Sequence, residues 1–212
     1  LADARADRSL RQCPVTRAGT DGVGTVPTVG IYRERILPHI VDRACGTPEL
    51  QAWRDQVAAG LFGDVVEIGF GSGLNVEAYP DEVEVVFAVE PADVARRLAE
   101  PRIAAGRVMV EHVGLDGQQI PLDDDSCDGA LSTFTLCTIP DVAAALAELR
   151  RVVRPGGRLH FLEHGLAPDA GVATWQRRIE PLQKRLADGC HLTRDPAGQG
   201  AAAGFELEQV SS

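Results

Sequence analysis

At 212 residues, the chain is long enough for one domain of about 150–200 residues with its own core plus an appendage. Its 44% apolar and 25% charged residues are ordinary for a globular protein, which excludes a disordered or fibrous chain. Thirty-one acidic side chains against 21 basic ones give a net charge of −10, which repels phosphate backbones and makes nucleic acid a poor partner.

Five cysteines, Cys13, Cys45, Cys127, Cys137 and Cys190, stand without C-x-x-C spacing and in odd number. This suits no closed disulfide framework and points to a reducing cytoplasm. No run of about 18 apolar residues and no signal peptide can be read, so no membrane span is expected. Leu1 stands where an initiator Met would, which implies that a few leading residues precede it.

Residues 1–30 show no periodicity and are expected to be loosely ordered. Residues 31–56 carry Ile31, Tyr32, Ile36, Leu37, Ile40 and Val41, a pattern that predicts a lid helix interrupted by Pro38. The expected division is an extension over 1–55 followed by a domain over 56–212. Strands are predicted at 65–68, 84–89, 108–112, 127–133 and 158–163, with a further alternating piece at 205–208. A helix opens at Pro140 with Val142, Leu146, Leu149 and Val153 on one face. A second helix carries Val172, Trp175, Ile179, Leu182 and Leu186, with a kink expected at Pro181 and Trp175 expected in the core. Strand and helix alternate, which implies parallel strands joined by right-handed crossovers. The fold expected is therefore α/β, a Rossmann-like three-layer αβα sandwich with a mostly parallel sheet.

The stretch "VVEIGFGSGLN" ends the first of these strands in three glycines at alternate positions, Gly69, Gly71 and Gly73. In such a sheet, ligands sit beyond the carboxyl ends of the strands, and a glycine-rich first turn lets the backbone approach them. Gly73 is expected to let a following helix pack on the strand. The dinucleotide pattern G-x-G-x-x-G would need its last glycine at Leu74, so a pyrophosphate ligand is disfavoured. Glu90 ends the second strand about 20 residues after the loop, where a carboxylate can accept hydrogen bonds from ribose hydroxyls. A nucleoside without a diphosphate fits both features.

Four segments, "VVEIGFGSGLN", "FAVEP", "LDGQQIPLDDDSCDGALSTFTLCTIPD" and "LRRVVRPGGRLHFLEHG", resemble in order and spacing the successive motifs of class I S-adenosylmethionine-dependent methyltransferases, in the methyltransferase type 11 group. The tail "FLEHGLAPDAGVATWQRRIEPLQKRLADGCHLTRD" resembles the branch of the alkyl thiol methyltransferases more than the quinone-biosynthesis enzymes. The resemblance implies S-adenosyl-L-methionine as cofactor and a small-molecule acceptor, with a thiol foremost. It implies that Glu67 supports the glycine loop near the methionine amino group, that the amides around Gly69, Gly71 and Gly73 hold the methionine part, that Glu90 binds the ribose, and that Asn75 and Pro91 belong to the same cofactor site. Asp116 and Gly117 match the adenine positions, and Thr133, Phe134 and Thr135 lie near the methyl donor. The family's antiparallel seventh strand is expected to be absent, since the chain stops shortly after "FELEQV".

His164 and His191 titrate in the useful range and are the candidate catalytic bases. Each has a structural alternative, as a hydrogen-bonded or loop histidine. Cys137 reads as a small core hydrophobe, and the Cys and His residues lack paired ligand spacing, so no metal is expected. Two other functions stay open: a nicotinamide-dependent oxidoreductase, and a nucleoside-binding module without catalysis.

Overall fold

The computed structural model describes residues 32–187 and 189–208. The expectation for residues 1–30 and the cysteine at position 13 lie outside them. Five strands, β1 (Gly63–Ile68), β2 (Val83–Val89), β3 (Met109–Gly114), β4 (Cys127–Thr133) and β5 (Val153–Leu162), form one sheet in the order β3-β2-β1-β4-β5, every neighbouring pair parallel.

The helices are α1 (Leu37–Cys45), α2 (Pro48–Ala58), α3 (Asp93–Ala105), α4 (Val142–Val152), α5 (Ala170–Leu186) and α6 (Pro196–Ala202). Alternate strand residues feed two separate cores, as the two-residue repeat of a strand requires. Val66, Ile68, Phe87, Val89 and Ala130 pack with Leu146, Leu149 and Val152 of α4. Val65, Val86, Ala88 and Leu131 pack on the opposite face with Ala58 of α2 and Ala99 of α3. The expected αβα sandwich is the observed fold.

Local signals explain the helix ends. Asp141, Asp169 and Asp195 accept from the backbone amides of Ala144, Val172 and Gly198, which caps α4, α5 and α6. Pro38 falls in the first turn of α1, directly after a five-residue π-helical turn (Tyr32–Ile36), where its missing amide costs nothing. The expected interruption is thus a change of helix type.

Several expectations need correction. Residues 205–208 form no strand: Phe205 packs against the α4 core as a loop residue. Val153 begins β5 and does not end α4. The stripe of α5, which contains Pro181, faces outward, with Trp175 61% exposed and not in the core. Helical spacing shows that residues share a face, and it does not say that anything covers that face. No regular helix follows the glycine loop. Residues 71–79 form successive turns, closed by Gly73 N to Phe70 O (3.1 Å), Val76 N to Gly73 O (3.1 Å) and Ala78 N to Asn75 O (2.9 Å). Gly73 packs against Ala99 of α3 instead.

Candidate functional site

The carboxyl ends of β1, β2 and β4 bring the predicted residues together. Gly69, Gly71 and Gly73 all have positive φ, at 67°, 58° and 76°. Their roles differ. A Cβ on Gly69 would overlap the side chain of Thr135, whereas at Gly71 it would meet only Gly69 O at 3.7 Å. Gly69 therefore lets β1 pass under the β4 loop, and Gly71 faces open space.

Glu90, 7% exposed at the end of β2, reaches across the loop: its Oε2 accepts from Gly71 N at 2.8 Å and its Oε1 from Ala92 N at 2.8 Å. The acid and the middle glycine, expected on one ligand, are in direct contact. Pro91 follows on the surface. Asp116 is exposed, and its Oδ1 accepts from the backbone and side-chain amides of Gln118, which shapes the turn after β3. A Cβ on Gly117 would meet Ile68 at 3.5 Å, so this turn lies against the end of β1.

Behind the loop runs a buried polar network. Glu67 is fully buried and accepts from Asn75 Nδ2 (2.5 Å) and from the Tyr79 hydroxyl (2.5 Å). Burial pushes its carboxyl up to about 7, against the opposing pull of those two hydrogen bonds and of Arg54. Arg54, on α2 and 3% exposed, donates from Nη1 to Asn75 Oδ1 (2.8 Å) and Thr133 Oγ1 (3.0 Å). Its Nε is buried without a hydrogen-bond partner, and its guanidinium carbon sits 5.6 Å from the centre of the Phe134 ring. From outside, Asp42 of α1 accepts from the Ser72 hydroxyl (2.6 Å) and pairs with Arg102 of α3 (2.9 Å), which also donates to Ser72 O (2.8 Å). The loop is held from both faces of the turn.

Phe134 directly follows β4 and has φ 54°, a left-handed conformation that a non-glycine side chain adopts only when its surroundings enforce it. Thr135 Oγ1 donates to Thr133 O (3.0 Å), and Glu163 Oε1 accepts from the amides of Thr135 and Leu136 and from the Ser132 hydroxyl. Glu163, at the end of β5, thereby fixes the β4 turn.

The two histidines part company. His164 stacks on Phe134, with ring centres 6.3 Å apart and an interplanar angle of 25°, and its Nε2 lies 3.0 Å from Cys190 Sγ. His191 Nδ1 instead lies 3.7 Å from Glu180 Oε1 on α5, and burial together with Arg194 and Lys184 lowers its pKa. The ring of His191 is thus tied to α5 and does not join the glycine loop. Burial and the neighbouring carboxylate of Glu163 raise the Cys137 thiol, whose largest influence is its contact with Cys190; that contact and His164 lower the Cys190 thiol.

Sequence reasoning missed Arg54, Tyr79, Asp42, Arg102 and Glu163. Arg54 left one readable trace: with Leu50, Val57 and Ala58 it falls at i, i+4, i+7 and i+8 on one helix face, so a charge interrupts an apolar stripe. Two clefts, of about 260 Å³ beside Gly60, Asp128 and His160 and about 330 Å³ beside Val76, Pro80 and Arg107, open at the amino-terminal edge of the sheet, opposite the glycine loop.

A family model described as "Methyltransferase domain" matches residues 66–161. Thiol S-methyltransferase TMT1B of Rattus norvegicus is 35% identical over 137 residues, 62% of this chain and 55% of that protein. The demethylmenaquinone methyltransferase of Clavibacter sepedonicus is 30% identical over 170 residues, 76% of this chain and 69% of that one. The chain spans 55% of the length of the first of these relatives. A solved structure of a Bacillus halodurans C-125 protein shares the fold with a TM-score of 0.64 at 23% identity, over 75% of this chain and 70% of that chain. No helix among the described residues is long and apolar enough to cross a membrane. The chain belongs to the class I S-adenosylmethionine-dependent methyltransferases.

Proposed function

We propose that this chain binds S-adenosylmethionine at the Gly69–Gly73 loop and transfers its methyl group to a small, fairly apolar thiol. The observation that carries the reading is the contact of Glu90 with the Gly71 amide, because it joins a ribose-type acceptor to a loop with room above its middle glycine. That open space and the carboxylate beside it fit a nucleoside. A nicotinamide dinucleotide is disfavoured by Leu74, and a module without catalysis by the similarity to named methyltransferases.

When bound, the nucleoside supplies a sulfonium methyl that is already electrophilic. The residues need to hold the partners in line and keep water out, and such positioning can supply about 7–11 kcal/mol of a barrier. Glu90 would hold the ribose, while Arg54 fixes the Asn75 carbonyl so that its amide points to Glu67 and braces the loop from behind. Phe134 would form the wall beside the reacting carbon. A thiol acceptor needs only a modest push, since a pKa near 8.5 leaves a few per cent thiolate at neutral pH. His164 would act by keeping Phe134 and Cys190 in position. The relatives named thiol S-methyltransferase support the acceptor class.

Methyl transfer to a panel of alkyl and aryl thiols, measured beside phenols, amines and quinols, tests this. Turnover of thiols is expected. Turnover confined to quinols or phenols would overturn the acceptor, and product nucleoside formed with no acceptor in the panel would overturn the transferase reading.

A further inference from the structure

Cys137, His164 and Cys190 lie in the loop after β4, just beyond β5 and beyond α5, and no local spacing links them. The fold nevertheless puts one donor atom of each within 4.8 Å of the others. Cys137 and Cys190 are 1% and 4% exposed, their sulfurs are 3.8 Å apart, and His164 Nε2 is 3.0 Å from Cys190 Sγ. We propose that these three side chains form a binding site for one thiophilic d¹⁰ cation, with zinc(II) or copper(I) as the matching chemistry.

The spacing is that of a ligand set. Two sulfurs bound tetrahedrally at about 2.3 Å from a zinc ion stand about 3.8 Å apart, the separation found here. The imidazole has to withdraw by about half an ångström to reach its own corner. The amide of His191 donates to Cys137 O at 2.9 Å, which fixes the two cysteine backbones side by side. A second observation points to a missing partner: Glu163, next to His164, has a buried Oε2 without a hydrogen-bond partner, although its other oxygen takes three donors. Soft sulfur donors with one imidazole select d¹⁰ ions over magnesium or calcium. Such an ion would tie the segment after α5 to the β4 turn, one stacked ring away from Phe134.

The test uses the full chain, reduced and freed of metal. Zinc(II) in one arm and copper(I) in another are titrated against a chromophoric chelator, and intact mass under native conditions gives the stoichiometry. One ion per chain is expected. Cys137→Ser and Cys190→Ser should each weaken it by about 100-fold or more, beyond the 10- to 100-fold usual for residues behind the ligands. Cys45→Ser and Cys13→Ser should leave the affinity unchanged. The ion should also shield Cys190 of the unsubstituted chain from alkylation, a readout that does not need the variants to fold. Absence of ion uptake, equal affinity in the Cys137→Ser/Cys190→Ser double variant, loss of binding in Cys13→Ser, or unshielded Cys190 would each overturn the site.

Discussion

Arg54 Nη1 lies 2.8 Å from Asn75 Oδ1, so a residue of α2 orients the side chain that in turn meets Glu67 beneath the glycine loop. The same guanidinium nitrogen reaches Thr133 at the end of β4, which ties three segments to one cation. Arg54→Ala leaves Asn75 and Glu67 buried without it. Breaking a buried charged network by removing one partner costs about 3 kcal/mol or more. Urea unfolding should show a loss of that size, and Arg54→Lys should recover little, since a lysine side chain ends one bond short of the nitrogen that makes both contacts.

Gly69 and Gly71 share a positive φ but not a neighbourhood. Gly69→Ala must displace Thr135, so it should disrupt the β4 turn and lower the melting temperature strongly. Gly71→Ala carries only the left-handed penalty of about 1–2 kcal/mol. It should fold, and yet lose nucleoside affinity, because the added methyl enters the space above the loop. Equal melting temperatures for the two variants would show that the overlap with Thr135 relaxes freely.

Glu67 sets a pH dependence whose sign follows from its raised pKa. Its carboxyl titrates near 7 in the folded chain against an ordinary 4.5, so between these values the folded state binds the extra proton. Stability contributed by this group is therefore full below about pH 4.5, falls as pH rises, and reaches its minimum above pH 7. The size is on the order of 3 kcal/mol at most. Glu67→Gln, which keeps the shape and stays neutral, should flatten that slope between pH 5 and 7 in denaturant titrations.

Glu90 accepts from both Gly71 N and Ala92 N, so Glu90→Ala removes two anchors of the loop together with the ribose acceptor. Charge-assisted hydrogen bonds of about 1.5–3 kcal/mol correspond to a loss of roughly 10- to 150-fold in nucleoside affinity. Glu90→Gln retains one accepting oxygen and should fall between the two. An unchanged dissociation constant in Glu90→Ala would remove this carboxylate from the site.

The sheet was legible because short β-branched or alternating runs alternate with helical patterns; β4 was read to the residue. The glycine loop and Glu90 were legible because their chemistry depends on spacing along the chain. The cluster of Cys137, His164 and Cys190 was not, since it is assembled from three segments that only the fold makes neighbours. Nor could periodicity tell that the stripe of α5 would stay exposed, as Trp175 and Leu182 do. The turns over 71–79 resisted reading for a local reason. Gly71, Gly73 and Pro80 favour turns, whereas the apolar residues between them suit a helix equally well.

Calorimetry of the full chain with S-adenosylmethionine, its demethylated product and NAD tests the central claim most directly. One-to-one binding of both sulfur nucleosides is expected, weakened in Glu90→Ala and Gly71→Ala while their circular dichroism stays that of the unsubstituted chain. Binding of NAD with no heat from either sulfur nucleoside would contradict it.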